Sequence, residues 1–152
     1  MAQQATFKLI GGAQLRAELE AMAGAPGRAV MRGAVRDALK VIETEARSRA
    51  PGKTIRRMIG RKVWTKGLAV RGKVYVKPNP GRTVSFDGRE LPFEFVANVL
   101  EFGSSSRGIR PRAFMRGARE TKRAEALREL DRSAQARLEM AWKRRGNGKF
   151  WA

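Results

Sequence analysis

The sequence lacks the side chains on which most familiar enzyme chemistry depends. Its 152 residues include no cysteine and no histidine, which excludes a disulfide framework, a thiolate nucleophile, an imidazole base and a Cys/His zinc site. No apolar run reaches the length of a membrane span, and the first residues lack the charged-then-apolar order of a signal peptide. We therefore expect no catalytic residues, no metal, no cofactor, no membrane contact and no export.

Acidic residues are also scarce, and one long stretch contains none. Lys and Arg number 33 against 14 Asp and Glu, which gives a formal net charge of +19. From Arg47 to Arg82 there are twelve basic residues and no acidic one. Repulsion among so many like charges destabilises an isolated compact chain and favours a polyanion or an acidic protein as partner. Solubility is the alternative role for this charge.

The N-terminal third of the chain has the hydrophobic spacing of helices. Apolar residues recur at intervals of three and four in a short segment, 15–22, and again across 28–49. Pro51 and Gly52 then end the second pattern. The length of the chain fits one compact domain, so these helices are expected to pack in the same domain as the residues that follow.

The spacing changes to strand-like alternation from about residue 60 to residue 92. Asp87-Gly88 indicates a tight hairpin turn within that range. A short apolar helix ended by Gly103 and a long C-terminal helix from Ala113 follow, and about 146–152 form a flexible tail. The sequence thus predicts a single-domain α+β fold with N-terminal helices, an antiparallel sheet, a short helix and a long C-terminal helix.

Alternation divides the predicted strands into an apolar and a cationic face. Because the valines of 70–76 are expected to face the core, the basic residues between them project together from the opposite face. A candidate surface for DNA or an acidic partner consists of Arg56, Arg57, Arg61, Lys62, Lys66, Arg71, Lys73 and Lys77. Trp64, Tyr75 and Phe86 are the aromatic residues of this region on which a base could stack.

Residues 50–54, Ala-Pro-Gly-Lys-Thr, end like a phosphate-binding loop but do not fit that motif. The motif needs a glycine five positions before Gly52, where this chain has Arg47. It also needs a preceding strand, whereas the preceding residues follow a helical pattern. The segment is instead predicted to be a junction at which Pro51 stops the helix and Gly52 permits the turn into the sheet.

Glu101 is the most plausible catalytic carboxylate in the sequence. It lies in an apolar segment between Leu100 and Phe102, where burial would raise its pKa and suit it to act as a base. No second catalytic group is near it in sequence, and serines 104–106 lack a neighbouring base or a nucleophile elbow. This favours a carboxylate that caps backbone N–H groups or pairs with an arginine across an interface. A hydrolase or nuclease is disfavoured because the chain has no histidine or acidic metal-binding cluster.

Three motifs occur in order along most of the chain: ARSRAPGKTIRRMI, FVANVLEFGSSS and RPRAFMRGARE. Together they resemble the small head-tail junction proteins of long-tailed phages, called tail-component, neck or tail-completion proteins in siphophages. The family pattern is Ala-Pro followed by Thr-Gly, a Tyr-Ala-x-x-Val-Glu-Phe-Gly-Thr box, and Pro-x-Pro-Phe-(Met/Leu)-x-x-Ala. It is matched at Ala50, Pro51, Thr54, Val99, Glu101, Phe102, Gly103, Pro111, Phe114, Met115 and Ala118. The departures are Ile55, Phe95-Val96, Ser104 and Ala113.

The resemblance implies a structural virion protein that forms a ring, expected to be a hexamer, at the head-tail junction. Such a ring caps the tail and helps to join it to the DNA-filled head, and a tail terminator is a closely related role. The implied partners are further copies of the chain, the head connector or stopper, the tail terminator, the tail tube, the tape-measure protein and DNA in the channel. The implied location is the virion, and the host cytoplasm during assembly.

In such a ring, the loop 103–112 and the cationic hairpin are the predicted contact surfaces. The predicted interface residues are Glu101, Phe102, Gly103, Arg107, Arg110, Pro111 and Trp151. Phe114 is predicted to be a core anchor, because it starts the C-terminal helix and shares a face with Ala118. A free nucleic-acid-binding protein, such as a chromosomal or ribosome-associated factor, is the competing interpretation. It explains the charge with fewer assumptions but leaves the Glu-Phe-Gly box unexplained.

Overall fold

Two long helices flank a series of short antiparallel strands in the order of the chain. The computed structural model describes residues 6–7, 25–67 and 69–146, and it has the predicted α+β architecture in one domain. The elements are β1 (Thr6–Phe7), α1 (Ala25–Arg49), α2 (Lys53–Met58), β2 (Ile59–Lys66), β3 (Ala69–Val76), β4 (Thr83–Phe86), β5 (Arg89–Pro92), α3 (Phe93–Phe102), a 3-10 turn (Ser105–Arg107) and α4 (Phe114–Gly146).

The two long helices, α1 and α4, follow the apolar spacing of the sequence. The stripe on α1 is buried at Val35, Leu39 and Ile42, and α4 buries Leu130 and Leu138. A stripe of this width stabilises a helix mainly by packing against another element, and α1 and α4 pack against each other. The predicted helix at 15–22 and the tail beyond residue 146 lie outside the described residues.

The predicted sheet is divided into two antiparallel sheets. In the first, β3 lies between β1 and β2, so the N-terminal residues Thr6–Phe7 add an edge strand that the sequence pattern did not reveal. The second consists of the antiparallel pair β4 and β5. The φ angles of Asp87 and Gly88, 55° and 71°, are both positive, as a type I′ hairpin turn requires.

A short helix occupies the junction at which the sheet was predicted to begin directly. Gly52 has a φ of 82°, a conformation that glycine adopts without steric cost, and α2 follows it. The side chain of Ile55 is buried and attaches this helix to the core. Arg56 and Arg57 are exposed and lie on α2, before the first strand of the hairpin, so they are separate from the cations of the sheet.

The core lies between α1, the inner face of the first sheet, α3 and α4. Its largest fully buried side chains are Phe93, Phe114, Leu39, Ile59, Leu130 and Val74. Gly72 permits the close approach of α1 to β3, because a Cβ added there would lie 2.4 Å from Leu39 Cδ1 and 3.0 Å from Val35 Cγ1. Phe114 is 1% exposed, which confirms it as a core residue. None of the helices described is long and apolar enough to cross a membrane.

Candidate functional site

The outer face of the β2–β3 hairpin brings together five cations and two aromatic rings. The antiparallel register places Lys62 opposite Lys73, and Trp64 opposite Arg71. Lys77 continues this face beyond β3, since its Cε lies 2.5 Å from the position of a Cβ added at Gly60. We refer to these seven side chains as the cationic sheet face: Lys62, Trp64, Lys66, Arg71, Lys73, Tyr75 and Lys77.

Four of the five cations on the cationic sheet face form no ion pair within the described part of the chain. The ion pairs found there involve none of Lys62, Lys66, Arg71 and Lys77. The ammonium of Lys73 lies 5.1 Å from the centroid of the Tyr75 ring, within the range of a cation–π contact. Like charges directly across a strand pair destabilise a sheet, so the facing lysines at 62 and 73 are unfavourable for the fold itself.

Arg61 belongs to the opposite face of the hairpin, contrary to its predicted place among the partner-facing cations. It is paired in register with the buried residue Val74, and its guanidinium forms a short ion pair with Glu43 of α1. Glu43 is 5% exposed and also binds Arg47, with 2.6 Å between Nη2 and Oε1. Arg47 Nη2 in turn donates to the carbonyl oxygen of Ile59 at 2.8 Å. Two arginines therefore neutralise one buried carboxylate beneath the sheet.

Both sequence signals for this arrangement were present. Counting by twos along β2 from Val63 places Arg61 with the core-facing residues. Counting by fours along α1 from Leu39 places Glu43 on the buried stripe. A buried carboxylate requires a charged or hydrogen-bonding partner, and Arg61 supplies it.

Glu101 caps the start of α4. The residue is 5% exposed, and its carboxylate accepts hydrogen bonds from the backbone N–H groups of Met115 at 2.9 Å and Arg116 at 3.0 Å. The Arg116 guanidinium Nε lies 3.4 Å from Glu101 Oε1. The first backbone N–H groups of a helix have no intrahelical acceptors and carry a partial positive charge. The capping interpretation of Glu101 is thus confirmed, and its carboxylate acts inside the protein although it was assigned to an interface.

The loop after α3 folds back tightly against the end of that helix. Gly103 has a φ of 79°, and a Cβ added there would lie 2.8 Å from the carbonyl oxygen of Ile109 and 2.9 Å from Pro111 Cδ. Ser104 and Ile109 exchange backbone hydrogen bonds of 2.9 Å. Gly103 is therefore required both for the turn and for the close approach of Pro111.

Ala113 has an unusual backbone conformation just before α4. Its φ is 45°, whereas a proline ring holds φ near −65°. Ala113 occupies the position of the second proline in the phage-family pattern. The φ angle of residue 113 in this chain is therefore one that the proline of the family pattern could not adopt.

Two exposed phenylalanines lie on the solvent side of α3. Phe95 is 41% and Phe102 is 42% exposed, seven residues apart and thus on one side of the helix. The guanidinium of Arg107 lies 5.2 Å from the centroid of Phe95, and that of Arg116 lies 5.1 Å from the centroid of Phe102. We refer to these four residues as the aromatic patch.

The aromatic patch brings together part of the predicted interface. Phe102 and Arg107 belong to it, and Gly103, Arg110 and Pro111 lie in the adjoining loop. Phe95 was not among the predicted residues, although its spacing from Phe102 was a usable signal that the two share one side of α3. Trp151 lies outside the described residues.

Elsewhere, the described residues offer little for metal chemistry or catalysis. They contain no group of three or more acidic residues that could hold a metal ion. An open groove of about 470 Å³ between α1 and α4 is lined mainly by charged side chains. Several of these pair with one another, such as Lys122 with Glu125 at 2.6 Å and Arg132 with Glu129 at 2.8 Å. The absence of catalytic activity remains a prediction.

No family model, curated protein or solved structure matches this chain. The resemblance to phage head-tail junction proteins therefore rests on the sequence motifs alone.

Proposed function

We propose that the protein is a structural component of the head-tail junction of a long-tailed phage, acting in a ring as a neck or tail-completion protein. The observation that carries this proposal is the contact between two of the motifs behind the resemblance. Glu101 of the Glu-Phe-Gly box caps the helix that begins at Phe114, and Gly103 packs against Pro111. The spacing between the two motifs thus has a physical reason, as expected if they were inherited together as one structural unit.

A ring requires two different surfaces on each subunit, because its contacts are heterologous. The aromatic patch suits such a contact, since aromatic and arginine side chains are enriched in protein interfaces and Lys and Glu are depleted there. Phe95 and Phe102 contribute little to the core of the isolated chain because both are more than a third exposed. We propose that the aromatic patch and the adjoining loop, 103–112, contact a neighbouring subunit or the next ring of the junction.

The tail-terminator role is an alternative within the same proposal, since both roles place a ring at this junction. A free nucleic-acid-binding protein is the second candidate, and the cationic sheet face is the observation that favours it. The two candidates differ in assembly. A neck protein is present at a fixed, small copy number in each particle, whereas a free nucleic-acid-binding protein is present in proportion to the nucleic acid.

The position and copy number of the chain in intact particles test the proposal. We expect purified particles to contain a ring of six copies at the head-tail junction, and we expect deletion of the gene to yield separate filled heads and tails. Complete absence of the chain from infectious particles would overturn the proposal. Phe102→Ala should reduce joining without unfolding the protein, and Arg36→Ala, at an exposed residue on α1, is a control that should join normally.

A further inference from the structure

We infer that the cationic sheet face binds the phosphodiester chain of a nucleic acid, and that Trp64 and Tyr75 stack against bases when that chain is single-stranded. This inference concerns the purified protein and does not depend on the proposed place in a phage particle.

The first argument is the arrangement of the cations. Side chains on one face of a strand repeat every ~6.6 Å, and neighbouring strands are ~4.8 Å apart. Lys62 and Lys66 therefore form one row, and Arg71, Lys73 and Lys77 form a parallel row beside it. A regular double row of positive charge matches a chain with regularly repeated negative charges, and binding such a chain releases its condensed counterions.

The second argument is the cost of this arrangement without a partner. Lys62 lies directly opposite Lys73, and such a like-charge pair weakens the sheet. By contrast, Arg61 on the other face of the same strand has Glu43 as its partner. On the outer face, by contrast, the ion pairs of the described residues include none of Lys62, Lys66, Arg71 and Lys77, as expected if an external anion balances these four cations.

The third argument is the position of the two aromatic rings, which selects a nucleic acid over an acidic protein. Trp64 lies in the row between Lys62 and Lys66 and opposite Arg71, and Tyr75 is the next outward-facing residue after Lys73. Both rings are partly exposed and lie on the face directed away from the core. A carboxylate side chain has no flat aromatic surface with which to stack on these rings. Every nucleic-acid base has such a surface and can stack on them.

Binding to labelled oligonucleotides tests the inference. The purified protein is titrated, over a series of salt concentrations, against a mixed-sequence single strand, the duplex of the same sequence and polyglutamate of matched charge. We expect both oligonucleotides to bind and the affinity to fall as salt rises. Polyglutamate should compete at least tenfold more weakly than the single strand. Equal competition by polyglutamate would overturn the inference in favour of an acidic protein partner.

Two sets of variants separate charge from stacking. Lys73→Glu combined with Lys77→Glu should lower the affinity for both oligonucleotides at least tenfold. It should also reduce the slope of log affinity against log salt concentration by about two, one for each lost phosphate contact. Trp64→Ala should weaken the single strand about tenfold and leave the duplex unchanged. Arg32→Glu combined with Arg36→Glu is the control, because it changes the net charge by the same amount as the sheet variant but at exposed residues of α1. This control protein should bind both oligonucleotides like the unaltered protein.

Two further outcomes would contradict the inference. If the α1 control weakens binding as much as the sheet variant does, the interaction reports net charge and not the cationic sheet face. If Trp64→Ala leaves the single strand unaffected, the stacking role is wrong. Thermal unfolding of every variant checks the fold, and Lys73→Gln with Lys77→Gln replaces the charge reversal if the reversed variant is unfolded. Failure in these assays leaves the junction proposal intact, because that proposal is tested by position in particles.

Discussion

The helical layer and the sheet of this protein carry the same sign of charge but balance it differently. Where α1 meets the rest of the fold, its arginines have acidic partners, such as Glu43 for Arg47 and Glu45 for Arg49, both at 2.6 Å. On the cationic sheet face, Lys62, Lys66, Arg71 and Lys77 form no such ion pairs among the residues described. The buried carboxylate of Glu43 is thus neutralised within the fold, whereas the sheet places Lys62 directly opposite a second lysine, an arrangement that disfavours strand pairing. Substitutions in the helical layer should lower stability, with the largest loss at Phe114 and the smallest at Asp37, whereas Lys62→Glu on the sheet should raise it slightly.

Phe114→Ala tests the core under the start of α4 and should have the largest effect. The ring is 1% exposed, so its removal should lower the free energy of unfolding by about 3–5 kcal/mol. Chemical denaturation measures this change. Phe102→Ala removes the same side chain from the solvent side of α3, where the ring is 42% exposed, and should cost much less. Equal losses in the two variants would contradict the buried position of Phe114.

Glu101→Ala tests the helix cap and should cost about 1–3 kcal/mol. The variant leaves the backbone N–H groups of Met115 and Arg116 without their present acceptor, and a buried donor without a partner costs about that much. Glu120→Ala, at an exposed position on the same helix, is the matched control and should be close to neutral. If the two variants unfold at the same denaturant concentration, the Glu101 carboxylate is not an important cap.

Local patterns predicted much of this fold because they depend on neighbouring residues. The end of α1 before Pro51 and the turn at Asp87-Gly88 are set by residue type and short-range sterics. The helix α2 was missed because its six residues are too few to display a period. The pair between Arg61 and Glu43 was missed because it depends on how β2 lies over α1, which local spacing alone does not determine.

The candidate surfaces were predicted less evenly for the same reason. Alternation alone was sufficient to place Lys73 and Lys77 on one face of the hairpin. On α3, however, apolar residues lie on most sides of the helix, so the sequence did not show that Phe93 is buried while Phe95 is exposed. That distinction depends on which side of α3 meets the rest of the fold, and it determines the aromatic patch.

Asp37→Asn tests the polar contact between α1 and α4, with an expected loss of a few tenths to about 1 kcal/mol at neutral pH. Asp37 Oδ2 accepts hydrogen bonds from Ser133 Oγ at 2.6 Å and from Arg137 Nη2 at 2.8 Å. Burial raises the pKa of Asp37, but these hydrogen bonds and the positive charge of Arg137 outweigh it, so the pKa lies below its ordinary value.

The direction of this shift sets the pH dependence. The charged form of Asp37 is favoured by folding, so its contribution is complete above the unfolded pKa of about 3.9 and is lost as pH falls through the lower folded pKa. The difference in unfolding free energy between wild type and Asp37→Asn should therefore be constant near neutrality and disappear in acid. A difference that stays the same at pH 2 and pH 7 would show that the ionised carboxylate contributes nothing.

Lys62→Glu should have the smallest effect on stability and the opposite sign. The substitution converts the like-charge pair with Lys73 into an opposite-charge pair across β2 and β3, so the protein should become more stable by a few tenths of a kcal/mol at low salt. High salt should remove most of the gain, because the residue is exposed and its interactions are screened. Thermal unfolding at two salt concentrations measures both effects.

Lys62→Glu should also lose affinity for nucleic acid. Higher stability combined with weaker binding is expected on the sheet and not in the helical layer, so it distinguishes these two regions most clearly. A lysine retained only for solubility would be replaced without loss of binding, whereas a lysine that contacts phosphate stabilises a complex at the expense of the free protein. Arg36→Glu on α1 should weaken neither oligonucleotide, since the residue lies away from the sheet. If Lys62→Glu gains stability and still binds normally, Lys62 makes no phosphate contact, and the repulsion between residues 62 and 73 has no functional explanation.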